Sequence, residues 1–376
     1  MSEILNLMEL EPNIPPTDFG VYTTSLAAPP KFGKSTWCTL YDKPLIYDFE
    51  EGTKGRVVYR VPVAKWTDVK KYNRQLAKEP KLKEKFNTIC FDTVNYALEA
   101  CKQYIMEQYQ SNHPDKIIDT FNKIPYGGGH ELLSKEFKGE INKLKRAGYG
   151  IVLVSHIKDK IFDKETENEH SKTVPDLTDK ERNLISAMAD FLLLGEFETK
   201  ILEPAKKDSN NKVIKEAVVE TNRVLYLRTN EKAESGFRWD DCPEIIPFDF
   251  EVFKEVFKEA VEKEIEKGKQ KFSISDEKAN EIKNTLDNIR KNEEKLVAEE
   301  ENKINEIENK EIKLNDLITQ IQSKSKEMSK SETDEKERKK LVKKIKEIIG
   351  NEGNTKYIST VEQAQGVLDN LEALSK

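Results

Sequence analysis

The segment from residue 28 to residue 36 constrains the fold most, because glycine, lysine and two hydroxyl residues directly precede a stretch that can form a helix. It consists of Ala28, Pro29, Pro30, Lys31, Phe32, Gly33, Lys34, Ser35 and Thr36. In a loop of this kind successive backbone N–H groups turn inward around phosphate oxygens, and the following helix N-terminus favours anions. Gly33 permits close backbone approach, Lys34 is expected to reach the β- and γ-phosphates, and Ser35 to coordinate Mg²⁺. We interpret residues 28–36 as a P-loop that binds ATP.

Alanine at position 28 departs from the glycine that usually opens this motif. Its side chain is small, but alanine has poorer access to positive φ, so we expect the first turn of the loop to differ. Residues 20–27 resemble a strand and residues 34–41 can open a helix, which is the order that phosphate binding requires. The alternative interpretation is a surface turn rich in glycine and proline.

Two short apolar runs, Pro44–Asp48 and Thr88–Asp92, each end in a carboxylate. Ligands of open parallel sheets bind at the carboxyl ends of the strands, so we expect Asp48 and Asp92 to point toward the nucleotide. Asp92 is predicted to hold Mg²⁺ together with Ser35, directly or through water.

An acidic residue follows the first of these strands, at Glu50. Side chains alternate along an extended chain, so Asp48 and Glu50 are expected on one side. We predict Glu50 as the general base that orients the attacking water. The alternative is that Glu50 or Glu51 caps a turn before Gly52.

A further strand is predicted at residues 149–155, ending at His156. If it is inserted between the P-loop strand and the Asp92 strand, His156 can sense the γ-phosphate. The alternative is a structural histidine. We expect a fifth strand at residues 190–194, a hairpin at 200–219 turning near 208–211, and a strand at 223–228.

Composition and charge argue against several other classes of protein. The formal net charge of −6 argues against a surface that coats nucleic acid nonspecifically, so any DNA contact must come from local basic loops. No apolar run approaches the roughly 18 residues of a membrane span, and the N-terminus shows no leader pattern, so we expect a cytoplasmic protein. Four scattered cysteines, without a C-x-x-C pair, indicate reduced thiols and no zinc site.

The sequence also predicts the domain organisation. We expect an N-terminal arm at 1–19, an α/β ATPase core with a mostly parallel sheet at 20–250, a charged helical or coiled-coil region at 251–335, and a small helical unit at 336–376. Beyond residue 250 the chain lacks proline and is dense in charges of both signs, which is typical of long solvent-facing helices. Alternatives for the charged region are a helical hairpin or a single charged helix. Two interpretations stand for the C-terminal helices: they hold a protein partner, or they only fasten the end of the coil.

The motif order resembles that of RecA-like ATPases. The residues that carry the resemblance are the P-loop, Asp48-Phe49-Glu50, Thr88–Asp92, Tyr126–His130, and the Val-Leu-Val-Ser-His sequence that ends at His156, followed by Lys158. More narrowly, the chain resembles phage-encoded AAA/RecA-type ATP-binding proteins grouped with single-strand annealing and recombination functions. The resemblance covers residues 18 to 260 and leaves the charged tail outside.

The resemblance implies two DNA-binding segments, at residues 111–130 and 158–180. The residues expected to contact single-stranded DNA are Lys116, Lys123, Tyr126, Lys158 and Lys160, with Lys164, Lys172 and Phe162 as further members. Lysines attract phosphates, and aromatic rings stack on bases. The second segment also carries the acidic residues Asp159, Asp163, Glu165, Glu167 and Glu169. The alternative for either segment is a surface loop without DNA contact.

The resemblance further implies a homo-oligomer with ATP at subunit boundaries. A neighbour's cation then stabilises charge in the transition state. Lys232 and Arg238 are the candidates, with Arg228 third.

These inferences lead to an ATPase that acts on single-stranded DNA in phage recombination or replication. One alternative is a RecA-fold motor, helicase or packaging-type ATPase. Another is a nonenzymatic assembly factor gated by nucleotide.

Overall fold

The computed structural model describes residues 10–115, 117–162, 170–203, 206–207, 213–215, 218–331, 335–350 and 354–374. Its strands are β1 (Thr23–Ala27), β2 (Pro44–Asp48), β3 (Tyr59–Pro62), β4 (Thr88–Asp92), β5 (Gly150–Ser155), β6 (Ile157–Phe162), β7 (His170–Pro175), β8 (Phe191–Glu203), β9 (Lys206–Lys207), β10 (Val213–Lys215), β11 (Val218–Tyr226) and β12 (Ile245–Pro247). Its helices are α1 (Lys34–Cys38), α2 (Trp66–Lys78), α3 (Leu82–Lys85), α4 (Val94–Asn112), α5 (Gly128–Arg146), α6 (Asp179–Ser186), α7 (Phe250–Phe272), α8 (Asp276–Ser331), α9 (Glu335–Ile349) and α10 (Val361–Leu374).

One large sheet carries the core, in the order β12-β11-β8-β1-β5-β4-β2-β3. The six strands from β8 to β3 run parallel, whereas β11 and β12 add antiparallel at one edge. The predicted fold class, a mostly parallel α/β sheet followed by long helices, is confirmed. So is the insertion of β5 between the P-loop strand β1 and the Asp92 strand β4.

The central strands are buried on both faces, which explains their nearly continuous apolar runs. On β4, Ile89 and Phe91 join one hydrophobic cluster with α2, α4 and α5, while Cys90 joins a second cluster with α1 and α7. Alternation along the pleat assigns neighbouring residues to opposite faces. The sheet therefore separates two layers of helices.

Several predicted boundaries are wrong by a few residues. Strand β1 starts at Thr23 instead of residue 20, because Phe19–Val21 form a 3-10 turn in which the Asp18 side chain accepts a hydrogen bond from Gly20 N–H. Helix α1 ends at Cys38, three residues earlier than expected.

The sheet edge beyond β1 also differs from expectation. Strand β8 continues to Glu203 and pairs with β11, so the predicted hairpin has longer arms than expected. Its predicted tip at 208–211 lies outside the described residues.

The chain divides into two compact units, one ending at Ala298 and one beginning at Glu299. In the first unit α7 buries Phe250, Phe253 and Phe257 against the sheet, so the predicted core boundary at residue 250 falls inside this packing. In the second unit α9 and α10 pack on the C-terminal part of α8 through a small hydrophobic cluster. Within the described parts of the chain, no helix is both long and apolar enough to cross a membrane.

Candidate functional site

A polar cavity of about 450 Å³ lies at the carboxyl ends of the central strands. The strand register aligns Ala27 with Ser155 and Asp48 with Asp92, so the segments leaving these strands meet at one edge. The residues that line the cavity are Pro30, Lys31, Gly33, Lys34, Ser35, Thr36, Glu50, Gly52, Arg56, Asp92, Thr93 and His156.

The loop between β1 and α1 wraps around the Lys34 side chain. Lys34 Nζ donates to the carbonyl oxygens of Ala28 and Pro29, at 2.9 and 2.8 Å, and lies 3.4 Å from His156 Nδ1. Burial lowers the pKa of Lys34, while the carboxylates of Asp92 and Glu50 oppose that shift. The ammonium group is thus held on the inner side of the loop.

Ala28 occupies the loop without backbone strain. Left-handed conformations in this loop are found at Lys31, with φ of 60°, and at Gly33, with φ of 118°, whereas Ala28 is outside the left-handed region. The Ala28 N–H instead continues the sheet by donating to the Ser155 carbonyl oxygen at 3.1 Å. A glycine at position 28 is therefore not needed for positive φ.

Phe32 anchors the same loop to the far part of the sheet. Its fully buried ring packs edge-on against Phe248, with centroids 4.5 Å apart, and covers Gly195 of β8. Arg223 of β11 donates through Nη1 to the Phe32 carbonyl oxygen at 2.9 Å. Strands β8 and β11, both distant in sequence, thus support the loop through these contacts.

Ser35 and Asp92 come together as the sequence predicted, with Ser35 Oγ donating to Asp92 Oδ2 at 2.6 Å. Burial raises the pKa of Asp92; the Ser35 hydrogen bond opposes this, and the neighbouring carboxylates of Glu50 and Asp48 add to it. The Ser35 hydroxyl and the buried Asp92 carboxylate, which lies near two other carboxylates, offer the oxygen ligands that Mg²⁺ prefers. The donor set therefore fits the predicted metal.

Glu50 enters the cavity as predicted. Its Oε1 accepts a hydrogen bond from Thr93 Oγ1 at 2.6 Å and lies 3.5 Å from His156 Nε2. The side chains of His156 and Glu50 are 29% and 31% exposed. The two residues form one polar cluster next to Lys34.

Asp48, in contrast, does not point into the cavity, and the expectation that it faces the nucleotide is wrong. Its carboxylate accepts hydrogen bonds from Gly52 N–H and from the Thr53 hydroxyl and pairs with Arg60 at 3.0 Å. Burial raises the pKa of Asp48, but the bonds from Thr53 and Arg60 outweigh burial and leave the pKa below its ordinary value. Asp48 thereby caps the turn that the alternative interpretation assigned to Glu50 or Glu51.

The predicted finger residues lie outside the residues that line this cavity. Arg238 pairs with Asp190 at 2.6 Å, and Arg228 donates to the Asp240 carbonyl oxygen. Lys232 is exposed, and its carbonyl oxygen accepts a bond from Thr173 N–H. Within a single chain none of the three faces the loop between β1 and α1.

The DNA-binding candidates lie on two surface segments. Three of the described candidate lysines pair with acidic residues of their own chain: Lys123 with Asp119 at 2.7 Å, Lys158 with Asp176 at 3.1 Å, and Lys160 with Asp179 at 2.7 Å.

The segments themselves are more ordered than the loops that were expected. Gly128 and Gly129 begin α5, and the second segment contains strands β6 and β7, which pair with each other in antiparallel orientation. Lys116 and Lys164, and the side chains of Tyr126 and Phe162, lie outside what the structure describes.

Sequence reasoning missed three residues near the site. Arg56 and Thr93 line the cavity, and Asn95 Oδ1 accepts a bond from His156 N–H at 3.3 Å. Thr93 and Asn95 lie one and three residues after Asp92, and this position just beyond a strand end is the sequence signal that could have identified them. Arg56 had no signal, because its contact depends on the path of a turn.

Comparison with known proteins assigns a family. The AAA_24 family model, described as an AAA domain, matches residues 22–239, which is more than half of the chain. Among solved structures, the crystal structure of the RadB recombinase is similar over 54% of this chain and 87% of that one, with 12% identity and a TM-score of 0.28. No curated protein matches the chain. The chain therefore belongs to the AAA domain family whose model it matches.

Proposed function

We propose that this protein binds ATP with Mg²⁺ and hydrolyses it in the cavity between β1 and β4. The observation that carries the proposal is the convergence of Lys34, the Ser35–Asp92 pair and the Glu50–His156 pair on one edge of a parallel sheet. Lys34 and His156 are 122 residues apart in the sequence, so the fold itself brings these groups together.

Each group has a role that follows from its position. The loop at residues 28–36 would bind the phosphates, and Lys34 Nζ would exchange its carbonyl partners for phosphate oxygens. Ser35 and Asp92 would hold Mg²⁺, which would neutralise phosphate charge.

The acid and imidazole side of the cavity would act on the γ-phosphate. Glu50 would accept a proton from the attacking water, with Thr93 fixing its orientation through the 2.6 Å hydrogen bond. His156 lies between Glu50 and Lys34, where it would contact the γ-phosphate. This arrangement suits hydrolysis better than simple storage of a nucleotide.

Steady-state hydrolysis and direct binding test the proposal. We expect Lys34→Ala to lose ATP binding, because the cation inside the loop is removed. Wild-type turnover near zero, with ATP bound, would overturn hydrolysis while leaving binding in place.

We further propose that single-stranded DNA is the polymer on which the ATPase acts, in phage recombination or replication. Strand β6 begins at Ile157, directly after His156, so a ligand bound to the β6–β7 hairpin would lie next to a residue that lines the nucleotide cavity. Ion pairs as exposed as Lys158–Asp176 contribute about 0 to 1 kcal/mol, so a DNA phosphate can displace Asp176 at little cost. The phage context rests on the sequence resemblance alone.

ATPase rates with and without single-stranded DNA test this part. We expect stimulation by DNA, an affinity that falls linearly with salt on logarithmic axes, and a smaller slope for Lys158→Gln. Strand annealing supports the proposed role, whereas translocation or unwinding supports the motor alternative. DNA that neither binds nor changes the rate would refute both.

The pairing of the lysines with carboxylates of their own chain favours a second candidate function. In this alternative the protein is an assembly factor gated by nucleotide, with the C-terminal helices as the partner site. ATP binding without turnover and without DNA binding would support it.

The oligomeric arrangement is also a proposal. If Lys232 or Arg238 acts on a neighbour's ATP, mixing Lys34→Ala with Arg238→Ala subunits should restore activity that neither variant has alone. An absence of restoration, with mixed oligomers verified by mass, would refute a finger at Arg238.

A further inference from the structure

The turn after β2 is fixed firmly against the start of α1. Asp48 accepts hydrogen bonds from Gly52 N–H and Thr53, and Arg60 pairs with the same carboxylate. Thr53 is fully buried, and Arg56 N–H donates to the Thr53 carbonyl oxygen at 3.0 Å. A buried anchor of this kind fixes where the exposed part of the turn lies.

This anchor brings the turn over the loop that is proposed to bind phosphate. A side chain at Gly52 would begin 4.0 Å from Ser35 Oγ. Arg56 Nη2 donates to Thr36 Oγ1 at 2.7 Å, and the Arg56 side chain lines the cavity. The turn thus places a guanidinium group on the nucleotide side of α1.

The chemistry of this group suits a phosphate. Arginine presents five N–H donors in a planar fork, and Thr36 receives a bond from one of its nitrogens. Such a fork matches a phosphate bidentately, and the exposure of Arg56 leaves it accessible.

The position along the loop distinguishes which phosphate Arg56 reaches. Lys34, His156 and Glu50 form the cluster proposed to face the γ-phosphate. Arg56 instead bonds to Thr36, one residue further into α1, on the side where the loop amides cradle the α- and β-phosphates.

We propose that Arg56 is a nucleotide-binding residue that contacts the α- and β-phosphate group, which ATP and ADP share, in the proposed ATP site. This inference rests on the proposed function. ATP and ADP share both of these phosphates, so Arg56 contributes equally to the binding of both nucleotides and does not act selectively on the transition state.

Calorimetric titration of the full chain with Mg-ATP and with Mg-ADP tests the proposal. We expect Arg56→Gln to raise both dissociation constants by about tenfold, the loss of one charge-assisted contact. Lys54→Gln is the matched control, because Lys54 lies on the same turn but pairs with Glu51 away from the cavity lining. It should bind both nucleotides as the wild type does.

The possible results distinguish a failure of the Arg56 contact from a failure of the proposed function on which it rests. Wild-type affinity of Arg56→Gln for both nucleotides, or a loss confined to ATP, overturns the proposed phosphate contact. If Lys34→Ala binds as tightly as the wild type, or the wild type binds neither nucleotide, the proposed function itself fails. An unchanged Tm for Arg56→Gln shows that the folded state is the one being measured.

Discussion

Gly195 of β8 gives the sharpest test of how the sheet holds the loop between β1 and α1. A Cβ added there would lie 2.4 Å from Phe32 Cε1, 2.8 Å from Phe32 Cζ and 3.1 Å from Ala28 Cβ. Nonbonded carbon atoms prefer separations of about 3.5 to 4.0 Å, so the Phe32 ring must move by about 1 Å. The ring is fully buried against Phe248, so no open space receives it.

The expected cost follows from this overlap. Overpacking a well-filled core costs about 1 to 3 kcal/mol, which lowers Tm by roughly 2 to 5 °C in a unit of this size. Phe32 directly precedes Gly33 and Lys34, so its displacement also moves the proposed phosphate-binding groups. A misplacement of about 1 Å can lower turnover about 100-fold.

Thermal unfolding and ATP hydrolysis of Gly195→Ala measure the two effects. Gly236→Ala is the matched control, because Gly236 bridges to β8 at Leu192 but an added Cβ would meet only ordinary contacts of 3.7 and 3.9 Å. Phe32→Leu in the Gly195→Ala background should restore part of the lost Tm, since the smaller side chain removes the overlap. If Gly195→Ala matches Gly236→Ala in both assays, the proposed packing of Phe32 on β8 is wrong.

Three other changes probe the cavity. Glu50→Gln keeps the size of the side chain and its hydrogen bond from Thr93 but removes the proposed base. The rate of single-turnover hydrolysis should therefore fall at least about 100-fold while ATP binding is retained. An unchanged rate would exclude Glu50 as the base. Burial raises the pKa of Asp92, so the folded state holds that proton more tightly and wild-type stability declines as pH rises through the titration of Asp92. Without nucleotide, Asp92→Asn should therefore unfold at a higher Tm than the wild type at neutral pH and lose this advantage as the pH falls into the acid range. The variant should also bind Mg-ATP poorly. An equal Tm of variant and wild type at all pH values would contradict this reasoning. Arg223→Gln removes the donor to the Phe32 carbonyl oxygen and should weaken ATP binding about tenfold in a calorimetric titration, whereas wild-type affinity would show that Arg223 does not support the loop.

The sequence by itself determined the parts of the site that lie on regular strands and at their ends. Short apolar runs predicted β1, β2, β4 and β5, and the carboxyl ends of parallel strands share one edge of the sheet. Each residue proposed for the site lies at the end of a strand or in the segment that follows one: Lys34, Ser35, Glu50, Asp92 and His156. Their proximity could therefore be predicted without coordinates.

Only the tertiary structure decided how the connecting turns direct their side chains. Asp48 and Glu50 are two residues apart, yet a turn sends one carboxylate into the protein and the other into the cavity. Arg56 reaches Thr36, and Gly195 makes room for Phe32, through contacts between segments that the sequence separates by 20 and 163 residues. Such contacts depend on the path of the backbone in three dimensions, and no local pattern of hydrophobicity or charge encodes that path.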